Sequence, residues 1–145
     1  EFKNGELLLR KSGATATDFM YDFSDCPDIA QTVAVTCLGL KINCVLKGLS
    51  TLKNKETDRL IALKTEIEKF GAEVTITENS LELRHTEQET RNQKPETQTY
   101  EDHRMAMSFA PLALLYDIQI QNPEVVQKSY PEFWEHLGLI GIINH

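Results

Sequence analysis

The stretch KNKETDRLIALKTEIEKFG, residues 53–71, reads as an amphipathic helix. Leu60, Leu63, Ile67 and Phe70 fall on one face, and Gly71 stops the run where helices commonly end. Its opening is unusual for a helix. Lys53, Lys55 and Arg59 stand there with Glu56 and Asp58, yet a helix N-terminus carries about half a positive charge, which favours anions and disfavours Lys and Arg. Either these cations are solvated, or something negatively charged sits among them.

Toward the N-terminus, KINCVL (41–46) alternates through Ile42, Cys44 and Leu46 and predicts a strand. Before it, SDCPDIAQTVAVTCLGL (24–40) repeats Ile29, Ala30, Val33, Ala34, Cys37 and Leu38 at helical spacing, with Asp25 as N-cap and Pro27 in the first turn. DFMYDF (18–23) alternates Phe19, Tyr21 and Phe23 and predicts a half-buried strand. GELLLRKSG (5–13) predicts a short strand with a turn at Lys11–Gly13.

Toward the C-terminus, AEVTI and LELRH, joined by TENS, predict a hairpin over residues 72–85. Residues 86–98, TEQETRNQKPETQ, hold no aliphatic or aromatic side chain and predict an exposed loop. YEDHRMAMSFAPLALLYD (100–117) is apolar almost all round, so it predicts a buried helix that Pro111 should kink. IQIQ (118–121) predicts a short strand. KSYPEFWEHLGL (128–139) predicts a last helix with a capping box from Ser129 to Glu132 and a stripe of Tyr130, Phe133, Trp134 and Leu137.

The order is β-α-β-α-β-β from residue 19, then an extended lead-in and α-β-α from about residue 99. This predicts an α+β domain built by repetition of a βαβαββ unit. Residues 1–18 would end a preceding unit, 19–85 form one unit, 86–98 a polar loop, and 99–145 a second, partial unit.

The 145-residue length suits a single domain, and 41% hydrophobic with 26% charged residues is too apolar for a disordered chain. A net charge of −7 argues against wrapping nucleic acid, whose affinity comes from basic phosphate contacts. A bound anion must therefore be caught by a local basic cluster. The three cysteines, Cys26, Cys37 and Cys44, form no CxxC pair and no closed disulfide set, and reduced thiols suggest the cytosol. Cys37 and Cys44 are expected to be small buried hydrophobes. No apolar run has the length of a membrane span, no signal peptide is visible, and no His/Cys cluster has metal-ligand spacing. The start at Glu1, without Met, leads to the expectation of a piece of something longer.

The cationic helix start is not isolated. Asp28 lies in the first turn of the first helix, Lys55, Glu56 and Arg59 in that of the second, and His103 and Arg104 open the third, while Lys128 precedes the fourth. If the two units are alike, these starts face one edge, where free N–H groups and dipoles add to the cations and make an anion site. Asp28 and Glu56 would be acids held beside cations, an arrangement suited to proton transfer. Each residue also has a plain reading: Asp28 and Glu56 as acids that suit a helix start, Lys55 and Arg59 as a solvated face, His103 and Arg104 as exposed, Lys128 as a surface lysine.

The motif over Lys53–Gly71 resembles a signature of the EPSP synthase family, the 3-phosphoshikimate 1-carboxyvinyltransferases, through Lys53, Lys55, Glu56, Thr57, Asp58, Arg59, Leu60, Ala62, Glu66, Lys69 and Gly71. PDIAQT around Asp28 and EDHRMAM (101–107) fit in the same order, and QKSYPEFWEHL resembles the family's closing lysine segment. The resemblance implies a two-domain enzyme in which each domain, half of an inside-out α/β barrel, holds three βαβαββ units. This chain would be about two of the three units of the C-terminal domain, with the N-terminal domain as its missing partner.

The implied reaction moves the carboxyvinyl group of phosphoenolpyruvate to the 5-hydroxyl of shikimate-3-phosphate and releases phosphate, with no cofactor and no metal, in the cytoplasm. The resemblance makes Asp28 the base at the 5-hydroxyl and a shikimate-3-phosphate ligand. It places Lys55 on shikimate-3-phosphate and Glu56 at the methylene carbon. It places Arg59 and Arg104 on the phosphoenolpyruvate carboxylate, with His103 and Lys128 on the phosphate side. Where the family usually has Asn or a similar polar side chain a few residues before the KET motif, the matching position here is near Thr51. The alternatives are UDP-N-acetylglucosamine enolpyruvyl transferase, against which KETDRL and DHRMAM argue, and a non-catalytic anion-binding module.

Overall fold

The structure is a computed structural model that describes residues 2–3, 5–7, 16–54, 58–86 and 94–142. Lys55, Glu56 and the expected turn at Lys11–Gly13 lie outside the described residues. Strands β1 (Phe2–Lys3) and β2 (Glu6–Leu7) pair antiparallel as a small hairpin with Gly5 at φ +79°.

The main sheet grows from the alternating segments. It contains β3 (Asp18–Asp22), β4 (Asn43–Lys47), β5 (Ala72–Ile76) and β6 (Ser80–His85), in the order β3-β4-β6-β5. β3 and β4 are parallel, joined by helix α1 (Ala30–Leu40), and helix α2 (Arg59–Glu68) carries the chain from β4 to the antiparallel β5–β6 hairpin. This is the βαβαββ order. Cys44, Leu46, Val74, Leu81 and Leu83 alternate onto one face and are buried with Ala34, Cys37 and Leu38 of α1 and Leu60, Leu63 and Ile67 of α2. Cys37 and Cys44 are therefore core side chains, as expected.

β3 departs from its expected half-burial. Phe19 and Tyr21 are 36% and 50% exposed, and only Phe23, just past the strand, is buried. In parallel register Phe19 and Tyr21 stand beside Cys44 and Leu46, on the face that the helices cover. β3 is one of the two edge strands of this sheet, paired on one side with β4.

The second part begins inside the stretch expected to be a loop. Strand β7 (Glu96–Thr97), with Thr97 buried, pairs in parallel with β8 (Gln119–Ile120). Between them helix α3 (His103–Phe109) runs into a 3-10 turn, Ala110–Leu114, so the chain tightens at Pro111 rather than kinking. Two apolar faces of α3 explain its composition. Met105 and Phe109 enter the main core, where Phe109 lies 6.0 Å from Phe70 between ring centroids. Ala106, with Ala110 just beyond the helix, packs with Val126 and Phe133 of a smaller cluster.

Two expected caps are absent. Asp25 does not cap α1: a 3-10 turn, Pro27–Ile29, precedes that helix, with Cys26 at the cap position of the turn and Ile29 at that of α1, neither making a side-chain cap bond. Helix α4 (Phe133–Leu139) begins after Glu132, with no side-chain cap. Ser129 instead closes the preceding 3-10 turn Pro123–Lys128, its N–H donating to the Val126 carbonyl at 3.0 Å. Among the described residues no helix is long and apolar enough to cross a membrane.

One glycine is demanded by its surroundings. Gly48 sits at φ +75°, and a Cβ there would overlap the Ser24 nitrogen and the Asp22 carboxylate that binds it. Gly48→Ala is expected to destabilise the fold by about 2 kcal/mol, read as a shift in the urea midpoint at unchanged m.

Candidate active site

Three helix starts converge. α2 begins at Arg59, because Asp58 is its N-cap and accepts from the backbone N–H groups of Leu60 and Ile61 at 3.1 and 3.2 Å. The expected start at Lys55 and Glu56 is thus corrected. Lys53 belongs to a preceding 3-10 turn, Ser50–Asn54, which also carries the exposed Thr51. Lys53 donates to Glu78 on the β5–β6 turn at 2.7 Å, so this cation answers to the hairpin rather than to the site.

Arg59 turns inward. Its side chain is 2% exposed and bonds two carboxylates: Nε to Asp102 Oδ2 at 2.5 Å, and Nη1 to Asp28 Oδ1 at 3.1 Å. Asp102 is fully buried and is also the N-cap of α3, its Oδ1 accepting from the Arg104 N–H at 2.8 Å. The residue that anchors Arg59 therefore also starts the helix that carries the next cation. Arg104 reaches back to Asp28, with Nη2 3.3 Å from Oδ2 and Nη1 3.3 Å from the Asp28 carbonyl. Asp28 comes from the 3-10 turn before α1. His103 Nδ1 lies 4.0 Å from Asp102 Oδ1, with its side chain 23% exposed.

The result is an alternating chain Arg104–Asp28–Arg59–Asp102. The Arg59–Asp102 end is dry, and the Asp28 and Arg104 side chains at the other end are 39% and 37% exposed. A buried guanidinium needs such pairing, since an unpaired interior charge is costly. The half-exposed end can meet a solute: a carboxylate or phosphate arriving there would find the planar fork of Arg104 beside a carboxylate able to accept a proton. Among the described residues no group of three His, Cys, Asp or Glu side chains is placed to hold a metal ion.

Of the residues singled out from sequence, Asp28, Arg59, His103 and Arg104 come together here. Lys128 is exposed at the end of its 3-10 turn, and no bond among the described residues links it to the group. Asp102 was missed, although its sequence carried a signal: an acid directly before a helical run is the preferred N-cap pattern.

The family model for EPSP synthase (3-phosphoshikimate 1-carboxyvinyltransferase) matches residues 3–137. The chain belongs to the EPSP synthase family. The 3-phosphoshikimate 1-carboxyvinyltransferase of Bacteroides fragilis is 44% identical over 142 residues, covering 97% of this chain and 35% of that protein. The protein of the same name from Neisseria gonorrhoeae is 34% identical over 127 residues, covering 87% of this chain and 29% of its own length. Among solved structures, EPSP synthase from Acinetobacter baumannii superposes with a TM-score of 0.68 at 25% identity, over 80% of this chain and 27% of that one. The chain spans about a third of the length of the curated relatives it matches. Its α+β arrangement is thus part of an enolpyruvyl transferase domain.

Proposed function

We propose that the complete protein containing these residues transfers the carboxyvinyl group of phosphoenolpyruvate to the 5-hydroxyl of shikimate-3-phosphate, a step toward aromatic amino acids, in the cytoplasm. The observation that carries the reading is the joining of Asp28, Arg59 and Arg104, from three segments far apart in sequence, within a chain of the EPSP synthase family.

In this reaction Asp28 takes the proton of the 5-hydroxyl as its oxygen bonds to the central carbon of phosphoenolpyruvate, while Glu56 delivers a proton to the methylene carbon. The tetrahedral adduct then loses a proton from the new methyl group and phosphate departs. Arg59 and Arg104 hold the substrate carboxylate, Lys55 holds shikimate-3-phosphate, and His103 and Lys128 serve the phosphate side. Cations fixed before charge develops need no reorganisation during reaction, and losing one such donor commonly costs about 3 kcal/mol of barrier. The division at residues 18, 85 and 98 into a unit end, one unit, a loop and a partial unit belongs to the same reading, as does a second domain that completes the cleft.

The test is phosphate release by the complete protein given phosphoenolpyruvate with shikimate-3-phosphate or with UDP-N-acetylglucosamine. Turnover with the first acceptor alone is expected. Turnover with the second would move the protein to the sister activity, and none with either would leave an anion-binding module. Residues 1–145 alone are expected to be inactive.

A further inference from the structure

Arg59 is not the only grip that α2 has on the segment leading into α3. Glu66, seven residues further along and so on the same helical face, is fully buried. Its Oε1 accepts from the Tyr100 hydroxyl at 2.7 Å, and its Oε2 accepts from the Gln98 N–H at 3.1 Å and from Lys69 Nζ at 2.6 Å. Lys69 also donates to the Glu96 carbonyl at 2.7 Å. One helix thus pins the segment at residues 96–100 and again at Asp102.

Between the two pins the backbone does something costly. Tyr100 and Glu101 are both left-handed, at φ +53° and +57°, and neither is glycine. Side chains with a Cβ avoid this region, and such conformations persist where the surroundings over-determine them. Here the kink ends at Asp102, the residue that meets Arg59 and caps the helix of Arg104. A change in how Tyr100 is held would therefore be passed directly to the two arginines.

We propose that Glu66 and Tyr100 are positioning residues of the transfer reaction: the bond between them holds the left-handed kink that presents Asp102 to Arg59 and Arg104 to Asp28. This rests on the function proposed above. Burial, and then the neighbouring Glu66 carboxylate, push the Tyr100 hydroxyl up to about 12, so it remains a hydrogen-bond donor at neutral pH. A buried carboxylate costs stability unless satisfied, and three donors from two segments satisfy this one while tying α2 to the approach of α3.

Tyr100→Phe, Glu66→Gln and Glu66→Leu in the complete protein provide the test, with kcat, both KM values and thermal unfolding measured for each. Tyr100→Phe removes one oxygen and keeps the ring. Its KM for phosphoenolpyruvate is expected to rise about tenfold, with KM for shikimate-3-phosphate within about twofold, because small displacements of binding groups weaken a substrate without removing a contact. Glu66→Gln, which can still accept from Tyr100, should retain more phosphoenolpyruvate affinity than Glu66→Leu. If Tyr100→Phe and Glu66→Gln lower the unfolding midpoint while kcat and both KM values stay at the wild-type level, the pair is only structural and the proposal is overturned. If Glu66→Leu does not fold, the other two variants decide. Absence of turnover in the wild-type protein would overturn the function itself, a result distinct from normal kinetics in the variants.

Discussion

Arg59→Met in the complete protein is expected to remove both stability and activity. Asp102 is fully buried and depends on Arg59 Nε for its charge partner. Breaking one side of a buried pair typically costs about 3–5 kcal/mol, because the remaining charge is left uncompensated. Urea unfolding measures this directly. Phosphoenolpyruvate affinity should fall with it, since the proposed carboxylate ligand is gone. Arg59→Lys should recover little of either loss: a single ammonium lacks the fork by which Arg59 joins Asp28 and Asp102. The double variant Arg59→Met, Asp102→Leu should regain most of the stability and none of the activity, because removing both charges also removes the desolvation cost. An Arg59→Met protein as stable as wild type would show that this buried pair does not hold the site.

Asp102→Asn separates anchoring from capping. Asn can still accept from the Arg104 N–H, which Asp102 meets at 2.8 Å, so α3 keeps its start. Arg59 loses its buried counter-charge and its fixed direction. The expected result is a fall of about a hundredfold in kcat/KM for phosphoenolpyruvate, the scale on which a slightly misplaced binding group acts. Asp102→Ala should lose about 1 kcal/mol more in stability, because the cap goes as well. Circular dichroism with steady-state kinetics checks both. Unchanged kinetics in Asp102→Asn would show that Arg59 is held in place by its other contacts.

Much of this molecule was legible in the letters, for local reasons. The alternation of Ile42, Cys44 and Leu46 marks β4, and the spacing of Leu60, Leu63 and Ile67 marks the buried face of α2. Both follow from backbone geometry that repeats within a few residues. The helix start expected at Lys55 and Glu56 lies instead at Arg59, because Asn54, Thr57 and Asp58 are all residue types that cap helices and only the folded chain selects Asp58. The alternation in β3 is that of a half-buried strand, yet Phe19 and Tyr21 are exposed, because a pattern does not say whether a neighbour covers it.

The site divides the same way. Asp28, Arg59, His103 and Arg104 were named from motif and helix position, and all four lie in one group. Lys128 was named on the same grounds and has no bond to that group among the described residues.

By itself the sequence determined the order from β3 through α1, β4 and α2 to the β5–β6 hairpin and the helix faces turned to the core, since these depend on neighbours within one or two turns. Tertiary structure alone decided that Asp102 would meet Arg59 across 43 positions, that Glu66 would hold Tyr100 across 34, and that Lys53 would go to Glu78 instead. A charge finds its partner through the packing of whole elements, and no short-range periodicity encodes that choice.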